Sequence, residues 1–362
     1  MNGMICFDSL RIHLNSFRID YQRNLYQYNW EVERMTLYRA VAARIGLGES
    51  EIVPRLFKML ADEKDAEILL ALPGTAEDIH TKMGLSLEET EKRMKDLFLK
   101  GLVFPSRKTS PPTYRMARDF VQFHDATILW KDAPVEFLDL WQEFMEKEWP
   151  GYARRISEML PKPFTRMIPV NVSVQAKTHI LDFESVHEIV KKARLLAVTK
   201  CTCRLTARKC DRTLEACIQV NHAAAYALSR GTGRRLGVEE ALDILRKAEE
   251  EGLIHVTTNR HEVDHFICNC CPCCCQTMPI LIKGGIRVVD PSRYRAEIHP
   301  DLCTGCGICH ERCYFGAIRW EDGQGSTSAV DADKCMGCGL CRVTCPEQAI
   351  ELVEVRPESF VP

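Results

Sequence analysis

Apolar positions repeat with two different periods along this chain, and the change of period marks out its elements. From residue 62, "DEKDAEILLAL" has the apolar content of a helix and stops at Pro73-Gly74. Thr75 with Asp78 then forms a capping-box start for "AEDIHTKM", which Gly84 ends. Ser86 with Glu89 opens a third helix predicted to bury Leu87, Met94, Leu97 and Phe98 before Gly101. "LVFPSRKTSPPTYRM" then alternates like two short strands around a proline-rich tip. Residues 119–153 carry Phe120, Phe123, Trp130, Phe137, Trp141, Phe144 and Trp149, the pattern of a helix pair with an aromatic core face and a solvated face.

Further on, Val186, Ile189, Val190, Ala193 and Leu196 predict a helix over 184–198. Val238, Ala241, Leu242, Leu245 and Ala248 predict another over 238–250. "CIQVNHAAAYALSR" reads as a helix beginning at Cys217 and ending near Gly231 and Gly233, and "GLIHVTT" as a short strand.

Composition changes this picture in two respects. With 362 residues, 46 % hydrophobic and 27 % charged, the chain is an ordinary globular sequence long enough for two or three domains. The formal charge of −2 is uneven: residues 1–153 sum to −4, 154–294 to +7 and 295–362 to −5, a pattern that suits internal docking or complementary partner surfaces. Nineteen cysteines are the second departure. The N-terminus lacks the pattern of a signal peptide and no run of apolar residues is long enough to span a bilayer, so a cytoplasmic location is expected. There, dense cysteine indicates metal or redox chemistry in place of disulfides.

The C-terminal third is the most specific. "CTGCGICHERC" is C-x2-C-x2-C-x3-C, with Cys303, Cys306, Cys309 and Cys313, and "CMGCGLCRVTCP" repeats the spacing with Cys335, Cys338, Cys341 and Cys345 before Pro346. Three cysteines at intervals of three wrap one face of a 4Fe–4S cube, and in the two-cluster arrangement the fourth serves the other cluster. Cys303, Cys306, Cys309 and Cys345 are therefore assigned to one cluster, and Cys335, Cys338, Cys341 and Cys313 to the other. Gly305, Gly307, Gly337 and Gly339 suit close approach of backbone N–H groups to sulfur. These residues resemble the bacterial-type ferredoxin domain with two 4Fe–4S clusters over roughly 292–355, except that Tyr314 follows Cys313 where the family usually has proline. The resemblance implies a small hairpin-and-helix fold with pseudo-twofold symmetry that passes single electrons at low potential.

Ten more cysteines lie in the middle: Cys201, Cys203, Cys210 and Cys217, then Cys268, Cys270, Cys271, Cys273, Cys274 and Cys275 in "CNCCPCCC". A subset of them is expected to hold one or two further iron–sulfur clusters or zinc, divided as four plus four with two free or as five plus five. Adjacent cysteines point in different directions, which suits two sites or a bridging thiolate. Arg204, Arg208, Lys209 and Arg212 would favour a negatively charged cluster. Through "CTCR" and "CNCCPCCC", residues 165–285 are similar to an uncharacterised module found ahead of ferredoxin domains in anaerobes, which implies iron–sulfur binding and no particular reaction.

Residues 51–118 resemble a winged helix in element order. A DNA-binding reading requires a basic recognition helix, but Lys92, Arg93, Lys95 and Lys100 are balanced by Glu88, Glu89, Glu91 and Asp96, and only Arg107 and Lys108 suit phosphate. Nucleic acid is thus disfavoured as a partner. Cys6 is isolated and reads as an ordinary thiol.

The expected fold class is α+β multidomain: an extension (1–50), a winged-helix-like domain (51–118), a helical linker (119–164), a mostly helical cysteine-rich domain (165–290) and a two-cluster ferredoxin domain (291–362). The expected function is low-potential electron transfer through the C-terminal clusters, with a further iron–sulfur or zinc site in the middle, for a partner redox protein or oxidoreductase complex. The alternatives are a reductase with a catalytic central site and a redox-sensing winged-helix regulator. No residue is assigned a catalytic role.

Overall fold

The structure is a computed structural model that describes residues 35–106, 109–170, 184–262, 265–320 and 327–362. Cys6, Arg107 and Lys108 lie outside the described residues. The chain divides into two compact units, Met1–Thr127 and Ile128–Pro362.

The first unit has a helix at 35–43 (α1), then α2 (Val53–Leu60), α3 (Glu63–Ala71), α4 (Ala76–Met83) and α5 (Leu87–Lys100), followed by the antiparallel pair β1 (Val103–Ser106) and β2 (Thr113–Met116). Each boundary has a local cause. Asp62 and Thr75 make reciprocal capping boxes with Asp65 and Asp78, and Ser86 accepts a bond from the Glu89 N–H. Gly84 and Gly101, both left-handed, end α4 and α5. Leu69, Ile79, Met94, Leu97 and Val103 are buried, and Phe57 stacks on Phe123 of α6 (Phe120–Ile128) with centroids 4.3 Å apart. Leu87 was expected in the buried face but is exposed, because as the first helical residue it precedes the turn that packs.

In the second unit, α7 (Val135–Lys147) buries Phe137, Trp141 and Phe144, and α8 (Trp149–Met159) buries Trp149. The centre is a seven-stranded sheet in the order β6-β4-β5-β8-β7-β3-β9. Its strands are β3 (Thr165–Met167), β4 (Leu196–Lys200), β5 (Glu215–Val220), β6 (Gly233–Arg235), β7 (Ile254–Thr258), β8 (Phe266–Cys270) and β9 (Val289–Asp290). All pairings are antiparallel except β3 with β9. The connecting helices are α9 (Val186–Lys192), α10 (Thr202–Ala207), α11 (His222–Ser229), α12 (Val238–Glu250) and α13 (Met278–Gly284). Ile189 and Val190 of α9 and Ala241 and Leu245 of α12 pack on Val198, Ile218 and Ile267 of the sheet.

The expectation of a mostly helical middle is therefore corrected. The helix predicted over 184–198 ends at Lys192, and the apolar run after it becomes β4. Cys217 lies inside β5, and a helix begins only after Asn221 at φ +50. A short run of continuous apolar residues does not distinguish a helix from a strand buried on both faces, and here tertiary pairing decides for the strand.

The C-terminal part comprises β10 (Tyr294–Ile298), α14 (Ile308–Arg312), β11 (Ile318–Arg319), β12 (Ala329–Val330), α15 (Leu340–Val343) and β13 (Ile350–Glu354), with β10 pairing β13 and β11 pairing β12. Buried polar contacts tie it to the central sheet. Arg293 bonds the Glu184 carboxylate at 2.8 Å, Val170 N–H donates to the Cys338 carbonyl at 3.0 Å, and Arg312 donates to the carbonyls of Glu249 and Glu250 at the end of α12.

Gly337 is where this packing is tightest. Its φ is +64°, and a Cβ there would stand 2.1 Å from the Tyr294 carbonyl oxygen and 2.3 Å from Ser292 Oγ, whose hydroxyl donates to the Gly337 carbonyl. Gly337→Ala is expected to destabilise the chain by about 2 kcal/mol or more. Gly316→Ala, with φ +61° but open space at the Cβ position, should cost only about 1 kcal/mol. Thermal unfolding of the two variants checks the ordering, and equal losses would mean that the close approach is unimportant.

Candidate metal centres

In the C-terminal third, two similar loops each run into a short helix through a left-handed glycine, Gly307 before α14 and Gly339 before α15. Gly307 also permits close packing, since a Cβ would lie 2.8 Å from the Trp320 ring, whose indole N–H donates to the Gly305 carbonyl at 2.7 Å. The thiols of Cys303, Cys306, Cys309 and Cys345 line one pocket together with Ile298 and Ile350. Cys313 lies with Cys335 beside Cys338, and all three lie beside Cys341. The fourth cysteine of each run thus faces the other run. The two loops also match in detail: Ala317 N–H points at Cys313 Sγ and Ala349 N–H at Cys345 Sγ, each at 3.3 Å. Such bonds favour the charged sulfur.

These sites suit cubanes in their spacing. Each cubane ligand binds a different metal atom, so the sulfurs stand apart around the cube. No three of these eight thiols gather within 4.8 Å of one another, in contrast to a group in the middle of the chain. Burial pushes the Cys338 thiol up to about 12, and a metal must displace that proton at neutral pH.

The ten central cysteines separate into two sets, of four and six. Cys210, Cys271, Cys273 and Cys274 place their sulfurs all within 4.8 Å of one another. Cys210 to Cys274 is 3.6 Å, Cys273 to Cys274 is 3.8 Å and Cys210 to Cys271 is 4.0 Å. A single ion bound tetrahedrally by four thiolates at about 2.3 Å holds its sulfurs about 3.8 Å apart, so this set has the size of a mononuclear site and is too compact for a cubane. The remaining six, Cys201, Cys203, Cys217, Cys268, Cys270 and Cys275, are neighbours of one another in the interior.

The pleat of β8 produces this division. Cys268 and Cys270 are two residues apart on one face, while Asn269 and then Cys271 take the other. The turn after the strand returns Cys273 and Cys274 to the side of Cys271 and Cys275 to the side of Cys270. The compact group of four fits a division of four plus four with two free, and speaks against five plus five. The expectation that neighbours diverge holds for Cys270–Cys271 and Cys274–Cys275 and fails for Cys273–Cys274, which sit together in the turn.

Cations accompany both sets. Arg204 is 2 % exposed and donates to the Asn269 carbonyl at 3.0 Å, while its Nε and Nη2 have no oxygen or nitrogen partner. The guanidinium faces Cys201, Cys217 and Cys271 instead, and although burial pulls its pKa down, those sulfurs hold it above the ordinary arginine range. A buried guanidinium is costly without a compensating negative charge, and ionised sulfur beside it would supply one. Arg212 reaches Cys273 Sγ at 3.9 Å and Tyr314 Oη at 3.1 Å. The other two basic residues expected near a cluster are engaged elsewhere: Arg208 pairs with Asp139, and Lys209 with Glu146 at 3.0 Å, both on α7.

Sequence reasoning missed the supports of β8. Asn269 Nδ2 donates to the Ala216 carbonyl at 2.6 Å, its Oδ1 meets His255 Nδ1 at 2.6 Å, and His255 Nε2 meets Glu249 at 3.2 Å, all in the interior. The odd register of Asn269 between two cysteines was the available signal. The Trp149 indole N–H, donating to the Gln276 carbonyl at 2.7 Å, had none.

A family model described as a 4Fe-4S dicluster domain matches residues 296–352. No curated protein and no solved structure matches the chain. The C-terminal region is thus similar to two-cluster iron–sulfur domains, which points to iron–sulfur electron transfer, and the middle has a cysteine cluster able to bind a metal. Among the described residues, no helix is long and apolar enough to cross a membrane.

If Cys210, Cys271, Cys273 and Cys274 bind one ion, Cys274→Ser should lower the metal content by one ion per chain and leave the reduced-cubane EPR signal unchanged. X-ray absorption at the edge of the lost metal should show four sulfurs at about 2.3 Å in the parent protein. Loss of several irons together with sulfide would instead indicate a cluster at this site.

Proposed function

We propose that this chain is an iron–sulfur electron carrier that serves a partner redox protein, with its two C-terminal clusters linking that partner to the metal-binding middle. When bound, the clusters would each accept and release one electron at low potential. The chain's own residues hold them, tune them and set the two ends of the route.

The observation that carries this reading is the contact between Tyr314 and Arg212. Tyr314 directly follows Cys313, a proposed ligand of the second cluster, and receives a hydrogen bond from Arg212, which also faces Cys273 of the compact four-cysteine set. The second cluster's loop is further embedded in the middle of the chain, where Leu340, Met336 and Cys338 pack in one core with Cys268, Cys270 and Cys275. The first cluster's loop has the opposite environment. Cys306 is exposed, and the apolar side chains of Leu302 (52 % exposed) and Ile308 (41 %) flank it. An exposed ligand with exposed apolar side chains close by in the chain suits a transient docking face, and the buried loop suits exchange within the chain. The helices α3, α4 and α5 with the hairpin β1–β2 are read as a winged-helix-like module for protein contact, consistent with the zero net charge of α5.

Anaerobically purified protein should take up electrons from a reduced viologen in stoichiometric amount and then stop, giving the EPR signature of two neighbouring cubanes. Cys306→Ser should abolish or alter one of the two signals. Continued oxidation of the dye on adding a small-molecule acceptor would favour a reductase, and the absence of any reducible cluster would overturn the carrier reading.

A further inference from the structure

We propose that Cys201, Cys203, Cys217, Cys268, Cys270 and Cys275 form a separate metal centre that holds a polynuclear iron–sulfur cluster. The inference rests on the iron–sulfur reading above and adds a site to it. Its first support is connectivity. Cys201 neighbours Cys203 and Cys217, Cys217 neighbours Cys268, Cys268 neighbours Cys270, Cys270 neighbours Cys275, and Cys275 neighbours Cys203. The six sulfurs therefore close a ring, and each has two neighbours in it.

The ring draws on three separate segments. Cys201 caps the start of α10 and Cys203 lies in its first turn, Cys217 is in β5, and the other three belong to β8 and the turn after it. One position beyond the Ile218–Ile267 pair of β5 and β8, the register leaves Cys217 and Cys268 side by side. Cys201, Cys217 and Cys275 are buried and the other three partly buried, so the ring is an interior feature. Thiols scattered as small apolar fillers would not be expected to complete a closed circuit from three segments.

The second support is size. Among the described residues, only the compact set of four places three or more sulfurs mutually within 4.8 Å. An ion bound directly to four ring sulfurs, or two ions joined by bridging cysteines, would need such a group. No three of the ring sulfurs lie mutually within 4.8 Å, and the same holds for the ferredoxin cysteines. Metal atoms that each take only one or two protein thiolates must complete their coordination with inorganic bridges, and sulfide is the bridge that iron uses in thiolate sites.

The third support is charge. The guanidinium of Arg204 lies between Cys201 and Cys217 of the ring and Cys271 of the compact set, with two nitrogens lacking any oxygen or nitrogen partner. It is placed as a shared counter-cation for two anionic centres.

The test compares iron, zinc and acid-labile sulfide per chain in the full-length, anaerobically purified protein, in the Cys203→Ser/Cys270→Ser double variant and in Cys274→Ser. The parent should carry at least two irons, with sulfide, beyond what two cubanes and one mononuclear ion contain. The double variant should lose that excess and keep the cubane EPR signal and the ion held with Cys274. The proposal is overturned if the parent holds no excess sulfide, if the excess is lost with Cys274→Ser, or if the double variant retains it. Should the double variant not fold, the sulfide content of the parent and of Cys274→Ser decides the question. Absence of the cubane signal from the parent would count against the electron-carrier reading, independently of the ring.

Discussion

The two-residue pleat of β8 is the constraint on which the middle of this molecule depends. Because side chains alternate along a strand, "CNCC" cannot present its three cysteines to one place, and the sheet becomes a partition with sulfur on both sides. On one side the strand supplies Cys268 and Cys270 to the ring, and on the other it hands Cys271 to the compact set. Asn269 holds the register through the Ala216 carbonyl and His255, deep in the interior. A slip of one residue would exchange the two faces and dismantle both sets at once, so the polar supports of β8 are as much a part of the metal chemistry as the thiols.

Electrostatics then explains why the surrounding charges lie where they do. Thiolates crowded in an interior repel one another, and bound metal ions together with adjacent arginines would offset that repulsion. Arg204 and Arg212 serve this purpose directly, whereas Arg208 and Lys209 lie farther out and bind the acidic face of α7. The basic middle of the sequence is thus partly matched inside the same unit by the acidic aromatic helix that precedes it. Cluster binding at such a site would supply part of the folding free energy and make the thiol-lined interior and the fold interdependent.

Much of this was legible in the sequence, for reasons that differ by region. The spacing of the eight C-terminal cysteines encodes a local geometry, and a local geometry survives translation into three dimensions. The caps at Thr75 and Ser86 and the period of Val238–Glu250 are local in the same sense. The sheet was misread because "RLLAVTK" and "CIQVNH" are short apolar runs whose state is set by partners distant in the chain. The division of the ten central thiols was half-legible: the pleat predicts that Cys268 and Cys270 part from Cys271, but the return of Cys273 and Cys274 depends on a turn with no diagnostic residue. Arg204 gave no signal that distinguished it from Arg208, since the two differ only in which face of a six-residue helix and its cap they occupy.

Tyr314 shows how a departure from a family pattern can carry information. In the ferredoxin pattern the position after the fourth cysteine is usually proline, which lacks both a side-chain donor and reach. Here a phenol occupies it, 3.1 Å from Arg212, with the arginine carbon 6.0 Å from the ring centre, and Gly252 leaves the space that the hydroxyl needs. A ferredoxin domain acting alone has no use for such a residue, because nothing lies beside it. The residue suits a loop packed against the cysteine-rich middle, with which Cys338 and Leu340 share a core that includes Cys275. The exposed Cys306 loop is then left as the face through which the proposed carrier would meet other proteins. The asymmetry between two loops with the same cysteine and glycine spacing therefore arises from what each one touches.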